Sequence, residues 1–225
     1  MTDCRVVRTR IKFCGMRREE DLRLAVRLGV DAIGFVCVPG LPRCVDLPVV
    51  APLRRQLPPF VACVALLRNP TRAVVETVME VLKPDLLQFH GEEPAEFCRQ
   101  FGVPYLKAIA MGAAPPRPEL LASYSDASAL LLDGHRPGEL GGQGKAFNWR
   151  GSGLDIAQPL ILAGGLVPEN VGDAIVQFRP YAVDVSSGVE ADPRAAPTIK
   201  DSGKMAAFIV AVRRADAAHA DLQDR

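Results

Sequence analysis

The stretch Ile11–Val36, IKFCGMRREEDLRLAVRLGVDAIGFV, begins and ends with short apolar runs. Such runs, bounded by Gly, Pro or Asp, are typical of buried parallel strands. Between them, the segment REEDLRLAVRLG places Leu22, Ala25 and Val26 near one helical face and ends at Gly29, a suitable helix cap. The stretch therefore predicts a strand, a helix and a second strand, which is the βαβ unit of a parallel sheet.

The same alternation continues along the chain. Including RTRIKF and AIGFV from that first unit, the predicted strands are RTRIKF, AIGFV, FVACVALL, LLQF, YLKAI, ALLLD, LILAG and AVDVS. Further helices are predicted in TRAVVETVMEVLK (with Thr71 as N-cap), EEPAEFCRQFG, PENVGDAIVQF and KDSGKMAAFIVAVRR. Weaker helical patterns follow the second, fifth and sixth strands, in LPVVAPLRRQL, PRPELLAS and NWRGSGLDIAQ. Strands that alternate with helices form a parallel sheet, either a closed barrel or an open doubly wound sheet.

The length of 225 residues suits one large domain. We therefore expect a single domain over residues 1–225, with a polar tail from about residue 214 that frays. Lys plus Arg total 27 and Asp plus Glu total 26, which leaves no basic excess for a nucleic acid. No apolar run reaches membrane-spanning length, and the start MTDCRVVRTR carries no signal segment. A nucleic-acid or membrane partner is thus not expected.

The cysteines and histidines suggest neither disulfides nor a metal centre. No Cys-x-x-Cys pair occurs, and several cysteines lie inside apolar strand-like runs, which indicates buried reduced thiols and a cytoplasmic protein. The three histidines are too scattered to suggest a metal site. The six cysteines are Cys4, Cys14, Cys37, Cys44, Cys63 and Cys98.

Ligands meet parallel sheets at the carboxyl ends of the strands, so the residues at those ends carry the functional hypothesis. Cys14 ends the first strand, on the same face as Lys12, and could act as a base or nucleophile. The alternative is an inert buried cysteine. Asp133 ends the sixth strand and could be the matching acid, or simply a turn residue or helix cap.

Three glycine-bearing loops follow the later strands. They are GGQGK at 141–145, AGG at 163–165 directly after the seventh strand, and SSG at 186–188 directly after the eighth. Backbone amides exposed by glycine, together with serine hydroxyls, can bind a phosphate, and the loops after strands seven and eight are the usual phosphate site of barrels. Plain turns are the alternative interpretation.

Three further polar residues follow strand ends. Arg43, in the loop VPGLPRCV, could hold a carboxylate with two parallel hydrogen bonds from its guanidinium, or be a solvated surface residue. Gln88 and His90 flank the end of the fourth strand in LLQFHGEE. They could line the pocket or serve a structural role.

At these residues the chain resembles the phosphoribosylanthranilate isomerases of tryptophan biosynthesis. The resemblance runs from Ile11 to about Phe208. The matching segments are IKFCGMRREEDLRLAVRLGVDAIGFV, LPRCV, LLQFHGEEP, LLLDG with GGQGKAFNW, LAGGLVPENV, and AVDVSSGVE with IKD. It implies a single-domain (β/α)8 TIM barrel that needs no cofactor and no metal. It further implies an Amadori rearrangement of N-(5-phosphoribosyl)anthranilate to 1-(2-carboxyphenylamino)-1-deoxyribulose 5-phosphate.

The resemblance also assigns roles to residues. Asp133 would be the general acid that protonates the furanose ring oxygen, and Cys14, as thiolate, would remove the proton at C2. Arg43 would hold the anthranilate carboxylate. Asp184 and Glu190 match further positions of the substrate site. The phosphate contacts would come from Gly141, Gly142, Gly164, Gly165, Ser186, Ser187 and Gly188.

Other interpretations of the same pattern remain open at this point. The related aldose–ketose isomerase of histidine biosynthesis uses an aspartate on the first strand, and indole-glycerol-phosphate synthase depends on a catalytic Lys and Glu pair. A catalytically silent phosphate-binding barrel would lack Cys14 or Asp133. We expect the segment HRPGEL at 135–140 to fold over the substrate, and the protein to be a monomer or a homodimer.

Overall fold

A computed structural model describes residues 8–112, 116–134, 157–192, 194 and 198–223. Its eight parallel strands follow one another around a closed barrel, and β8 pairs with β1. The closed barrel confirms the TIM-barrel prediction and excludes the open sheet. The strands are β1 (Arg10–Cys14), β2 (Ala32–Val36), β3 (Ala62–Leu67), β4 (Leu86–Phe89), β5 (Tyr105–Ala110), β6 (Ala129–Asp133), β7 (Leu160–Leu162) and β8 (Ala182–Val185).

The helices occupy the predicted segments, with differences in length. Gly29 ends α1 in the left-handed conformation, and the Thr71 hydroxyl caps α3 by accepting from the Val74 amide. EEPAEFCRQFG forms only one short helix and a 3-10 turn. The helices are α1 (Glu19–Leu28), α2 (Leu47–Arg54), α3 (Arg72–Leu82), α4 (Ala95–Cys98), α5 (Pro118–Ser123), α6 (Val171–Phe178) and α7 (Ser202–Gln223). Most of NWRGSGLDIAQ lies outside the described residues.

The last helix is longer than expected. Its backbone continues to Gln223, through the polar tail that was expected to fray from about residue 214. The physical reason is composition, because the segment Asp216–Gln223 has several alanines and neither glycine nor proline. The Asp216 carboxylate accepts from the amide and hydroxyl of Thr9, at 2.9 and 2.7 Å, and so ties α7 to the start of β1.

Alternation along each strand separates the barrel interior from the layer between strands and helices. On β1, Ile11 and Phe13 face the helices, where the Phe13 ring contacts Phe208 of α7 edge to face at 5.9 Å. Lys12 and Cys14 therefore face the interior. The interior below the carboxyl ends is filled by small and aliphatic side chains, namely Val64, Leu106, Ala108, Ala129, Leu131, Ile161, Ala163 and Ala182.

Within the described part of the chain, no helix has the length and apolarity required to cross a membrane.

Candidate active site

A cavity of about 560 Å³ opens at the carboxyl ends of the strands, which is the size of a small-molecule site. Its lining joins both predicted catalytic residues to the loops after β7 and β8. It is lined by Cys14, Val36, Leu41, Pro42, Arg43, Leu66, Arg68, His90, Asp133, Ala163, Gly164, Gly165, Leu166, Val167, Asp184, Val185, Ser186, Ser187, Gly188 and Arg194. Gln88 and Glu190, also predicted site residues, lie behind this lining.

Cys14 lies at the end of β1 with only 4% of its surface exposed. Its carbonyl oxygen accepts a hydrogen bond from the Ser186 hydroxyl at 3.1 Å, which ties the end of β1 to the loop after β8. Burial raises the pKa of the Cys14 thiol above its ordinary 9.0, whereas the charges of Lys12 and Lys200 act in the opposite direction. Cys14 can act as a base only in its thiolate form, which these positive charges favour and burial disfavours.

Asp133 ends β6 and is 5% exposed. Its Oδ2 lies 3.4 Å from His90 Nε2, and His90 Nδ1 lies 3.0 Å from Gln88 Nε2 on β4. Because the Gln88 amide donates to Nδ1, the imidazole carries its proton on Nε2, the nitrogen that faces Asp133. Gln88, His90 and Asp133 thus lie in a row at the carboxyl ends of β4 and β6.

Arg43 reaches the cavity from the loop after β2, but one edge of its guanidinium is already occupied. Its Nε and Nη2 donate to the two carboxylate oxygens of Glu190 at 2.8 and 2.7 Å. Glu190 is fully buried and also accepts from Lys200 Nζ at 3.0 Å. Although burial acts to raise it, the pKa of Glu190 is held below its ordinary 4.5 by Arg43 and Lys200. Glu190 is thus placed to act through Arg43.

Asp184 faces the interior from β8, directly beside Lys12 in the register of the sheet. Its Oδ2 accepts from Lys12 Nζ at 2.8 Å, and both side chains are buried. Its Oδ1 is buried at the cavity wall without a hydrogen-bond partner in the part of the chain that the structure describes. A buried acceptor of this kind requires a donor from a ligand or from water.

The predicted phosphate loops after β7 and β8 meet on one side of the cavity. Gly164 has a φ of +79°, and a Cβ atom there would lie 2.4 Å from the Gly134 amide nitrogen, so only glycine fits. A Cβ atom at Gly188 would lie 1.9 Å from the carbonyl oxygen of Leu166. The loop after β8 therefore packs directly against the loop after β7 at this glycine. Gly165, Ser186 and Ser187 complete this wall. The third predicted loop, with Gly141 and Gly142, lies outside the described residues, as does 135–140.

Three basic residues at the site were not predicted to act there. Arg68 directly follows β3 and lines the cavity, so the rule that selected the other strand-end residues could have found it. Arg194 also lines the cavity but follows no strand. Lys200 lies in the connection between β8 and α7, and its contact with Glu190, ten residues earlier, reveals its place.

Taken together, this cavity can perform acid and base chemistry on a small anionic molecule. It presents a carboxyl group, a thiol, a guanidinium and two glycine-bearing loops within one enclosure. Among the described ranges, no cluster of histidine, cysteine, aspartate and glutamate side chains has the arrangement of a metal site.

Comparison with known proteins gives a consistent result. The sequence profile of the family described as N-(5'phosphoribosyl)anthranilate (PRA) isomerase matches residues 11–211. The N-(5'-phosphoribosyl)anthranilate isomerase of Xanthomonas campestris pv. campestris (strain 8004) is 48% identical over 215 residues, which cover 93% of this chain and 95% of the relative.

Two solved structures are similar in fold and sequence. The phosphoribosyl anthranilate isomerase of Thermus thermophilus superimposes with a TM-score of 0.80 and 37% identity, covering 92% of this chain and 99% of that one. A second such isomerase was solved in complex with reduced 1-(o-carboxyphenylamino)-1-deoxyribulose 5-phosphate. It has a TM-score of 0.73 and 31% identity over 92% of this chain and 99% of that one. The profile match and the near full-length relatives show that this chain belongs to the N-(5'-phosphoribosyl)anthranilate isomerase family.

Proposed function

We propose that this chain catalyses the Amadori rearrangement of N-(5'-phosphoribosyl)anthranilate in tryptophan biosynthesis, with Asp133 as general acid and Cys14 as general base. The observation that carries this proposal is that both side chains line one cavity, together with Arg43 and the loops after β7 and β8. Each substrate group then has a chemically suitable partner: the carboxylate, the reacting carbons of the sugar, and the phosphate. Membership of the family supports the same reaction.

The first step opens the furanose ring. The Asp133 carboxyl group donates its proton to the ring oxygen as the bond between C1 and that oxygen breaks. The lone pair of the anthranilate nitrogen then forms the C1=N bond of a protonated Schiff base. Asp133 is left as a carboxylate, which the Nε2–H of His90 stabilises from 3.4 Å. Gln88 takes part by fixing the tautomer of His90, without contact to the substrate.

The second step moves a proton off carbon. The Cys14 thiolate removes the proton at C2, and the electron pair of that C–H bond neutralises the iminium to give an enolamine. The C2 hydroxyl then loses its proton while C1 gains one, which produces the ketone. Because the iminium group acts as the electron sink, the chain's own residues supply the acid and the base that these steps need.

Substrate binding divides between two sides of the cavity. The free edge of the Arg43 guanidinium faces the anthranilate carboxylate, while Glu190 holds the other edge, so Glu190 contributes by positioning Arg43. Asp184 Oδ1 accepts from a hydroxyl group of the sugar chain. The loops carrying Gly164, Gly165 and Ser186–Gly188 face the phosphate. By resemblance to the family, Gly141 and Gly142 also contact it.

The alternatives fit the site less well. The isomerase of histidine biosynthesis would have an aspartate at the position of Cys14, and a silent barrel would have lost one of the two reacting side chains. Both Cys14 and Asp133 are present at the cavity wall.

We further propose a cytoplasmic location, which the free thiols of the five described cysteines support, and a monomeric or homodimeric state.

Rescue of a tryptophan auxotroph that lacks this isomerase tests the proposed activity. The wild-type chain should restore growth without tryptophan, and Cys14→Ala should not. Equal expression of the two proteins, checked by immunoblot, is the necessary control. Failure of the expressed wild-type chain to restore growth would reject the proposed function, and rescue by Cys14→Ala would reject the role of the thiol.

A further inference from the structure

Lys12 is a buried cation that the reaction steps above do not use, although it lies beside the predicted base. It precedes Cys14 by two residues on β1, so both side chains point into the barrel. Lys12 is 3% exposed and therefore cannot be explained as a solvated surface charge.

The position of the Lys12 ammonium group is fixed by Asp184 on the neighbouring strand. The two residues are register partners of β1 and β8, and Nζ lies 2.8 Å from Oδ2. An ammonium group has three donors, and this contact uses one of them, which leaves donors that can point toward the end of β1. Asp184 thus holds the ammonium group in place and leaves its other donors for further hydrogen bonds.

The sulfur of Cys14 and the nitrogen of Lys12 converge on the space beside Gly34 of β2. A Cβ atom built at Gly34 would lie 2.9 Å from Cys14 Sγ and 3.1 Å from Lys12 Nζ. Both atoms therefore border the volume that a side chain at this position would fill. Glycine inside a strand often marks such a close approach, and here the missing side chain gives the ammonium and the sulfur one shared space.

We propose that Lys12 is a positioning residue whose ammonium group, held by Asp184, is the counter-ion that stabilises the thiolate of Cys14. The proposal deepens the function proposed above, because it names the group that keeps the base in its reactive form. The equilibrium concerned is the loss of the Cys14 proton to solvent, while Lys12 stays protonated and Asp184 stays ionised.

The other charged or titratable groups around Cys14 do not replace Lys12. The Lys200 ammonium also favours the thiolate, but it donates to the Glu190 carboxylate and the Ser186 carbonyl. The negative charge of Asp184 disfavours the thiolate. Arg43 and Cys37, on the side of β2, also interact electrostatically with Cys14. Burial raises the pKa of Cys14, and the Lys12 charge is the largest influence that lowers it.

A second buried lysine provides a matched control. Lys107 on β5 pairs with Glu93 at 2.9 Å, and both side chains are as buried as those of Lys12 and Asp184. Lys107 faces the helices and lies over the ring of Tyr124, outside the cavity lining. Replacing it removes the same kind of ion pair from the fold but leaves the surroundings of Cys14 unchanged.

The test is a ¹³C NMR titration of the full-length protein labelled at cysteine Cβ, with the Cys14 resonance assigned by its loss in Cys14→Ser. In Lys12→Met the midpoint of the Cys14 titration should rise by at least about one pH unit. At a pH below both midpoints, the fraction of thiolate then falls at least about tenfold. In Lys107→Met it should equal that of the wild type. An unchanged midpoint in folded Lys12→Met would overturn the proposal.

Two further measurements keep the test decisive. If Lys12→Met does not fold, because Asp184 is left buried without its partner, the double variant Lys12→Met/Asp184→Asn removes both charges. Its midpoint should still rise, and an unchanged or lower midpoint overturns the proposal.

In the turnover assay, kcat/KM of Lys12→Met should fall by the factor measured for the thiolate fraction, and its pH profile should be displaced to higher pH. A loss of kcat/KM without that displacement would assign Lys12 a purely structural role. If the wild-type protein shows no turnover but the Cys14 midpoint still rises in Lys12→Met, the proposed function is rejected and the ion pair between Lys12 and the Cys14 thiolate is kept.

Discussion

At the scale of single residues, the site depends on polar side chains that stand behind those lining the cavity. Glu190 holds Arg43, and Gln88 orients His90. Such supporting residues fix rotamers and charge states without touching a substrate. Their loss should therefore alter binding or proton transfer selectively, with the fold retained.

Glu190→Gln tests this view for the carboxylate side of the cavity. Without its carboxylate partner, Arg43 loses the charge-assisted hydrogen bonds that set its orientation, so we expect KM to rise on the order of tenfold with a smaller change in kcat. Steady-state kinetics measure the two parameters separately. Glu93→Gln is the control, because it breaks a buried carboxylate–lysine pair outside the cavity. A KM that is unchanged in Glu190→Gln, or raised equally in Glu93→Gln, would contradict the assigned role.

At the scale of elements, the strand ends and the turns that follow them set the distances at the site. Apolar runs predicted all eight strands, because a strand that is buried on both faces consists mostly of apolar residues. The rule that ligands meet the carboxyl ends of strands then pointed to Cys14, Asp133 and Arg43, which line the cavity. The burial of Glu190 and the place of Lys200 were not predictable in this way. Both follow from the pairing of Glu190 with Lys200 within the connection between β8 and α7, which no periodicity records.

Gly34→Ala tests the packing of β1 against β2. The added methyl would lie 2.9 Å from Cys14 Sγ, so the thiol or Lys12 has to move. A misplacement on that scale should lower kcat/KM by on the order of tenfold to a hundredfold. Gly172→Ala on α6 is the control, since its nearest neighbour would be 3.9 Å away and alanine favours a helix. Full activity in Gly34→Ala would show that the space beside Gly34 does not matter for the reaction.

At the scale of the whole molecule, closure of the barrel creates the site from distant parts of the chain. Pairing of β8 with β1 brings Asp184 to Lys12, 172 residues away in sequence, and Ser186 to the carbonyl of Cys14. The register of that pairing decides which side chains meet. Sequence patterns predict that two strands are present but not their register, so the ion pairs of the interior required the structure.

The buried cluster of Arg43, Glu190 and Lys200 also makes the stability of the fold dependent on pH. Burial acts to raise the pKa of Glu190, but its basic partners hold it lower than in the unfolded chain, so the unfolded state binds more protons on acidification. Its stabilising contribution is complete above the ordinary pKa of 4.5 and is lost as the pH falls through the lower pKa of the folded state. Urea unfolding at pH 6 and pH 3.5 should show a smaller acid-induced loss of stability in Glu190→Gln than in the wild type. An equal loss would place the acid sensitivity elsewhere.

The central claim is that Cys14 and Asp133 are the base and the acid of one isomerisation. The most direct test is the kcat of purified Cys14→Ala and Asp133→Asn with N-(5'-phosphoribosyl)anthranilate, beside the wild type, with folding checked by circular dichroism. We predict that each variant keeps the fold and loses at least about a hundredfold in kcat. A folded variant of either residue with near wild-type kcat would contradict the claim.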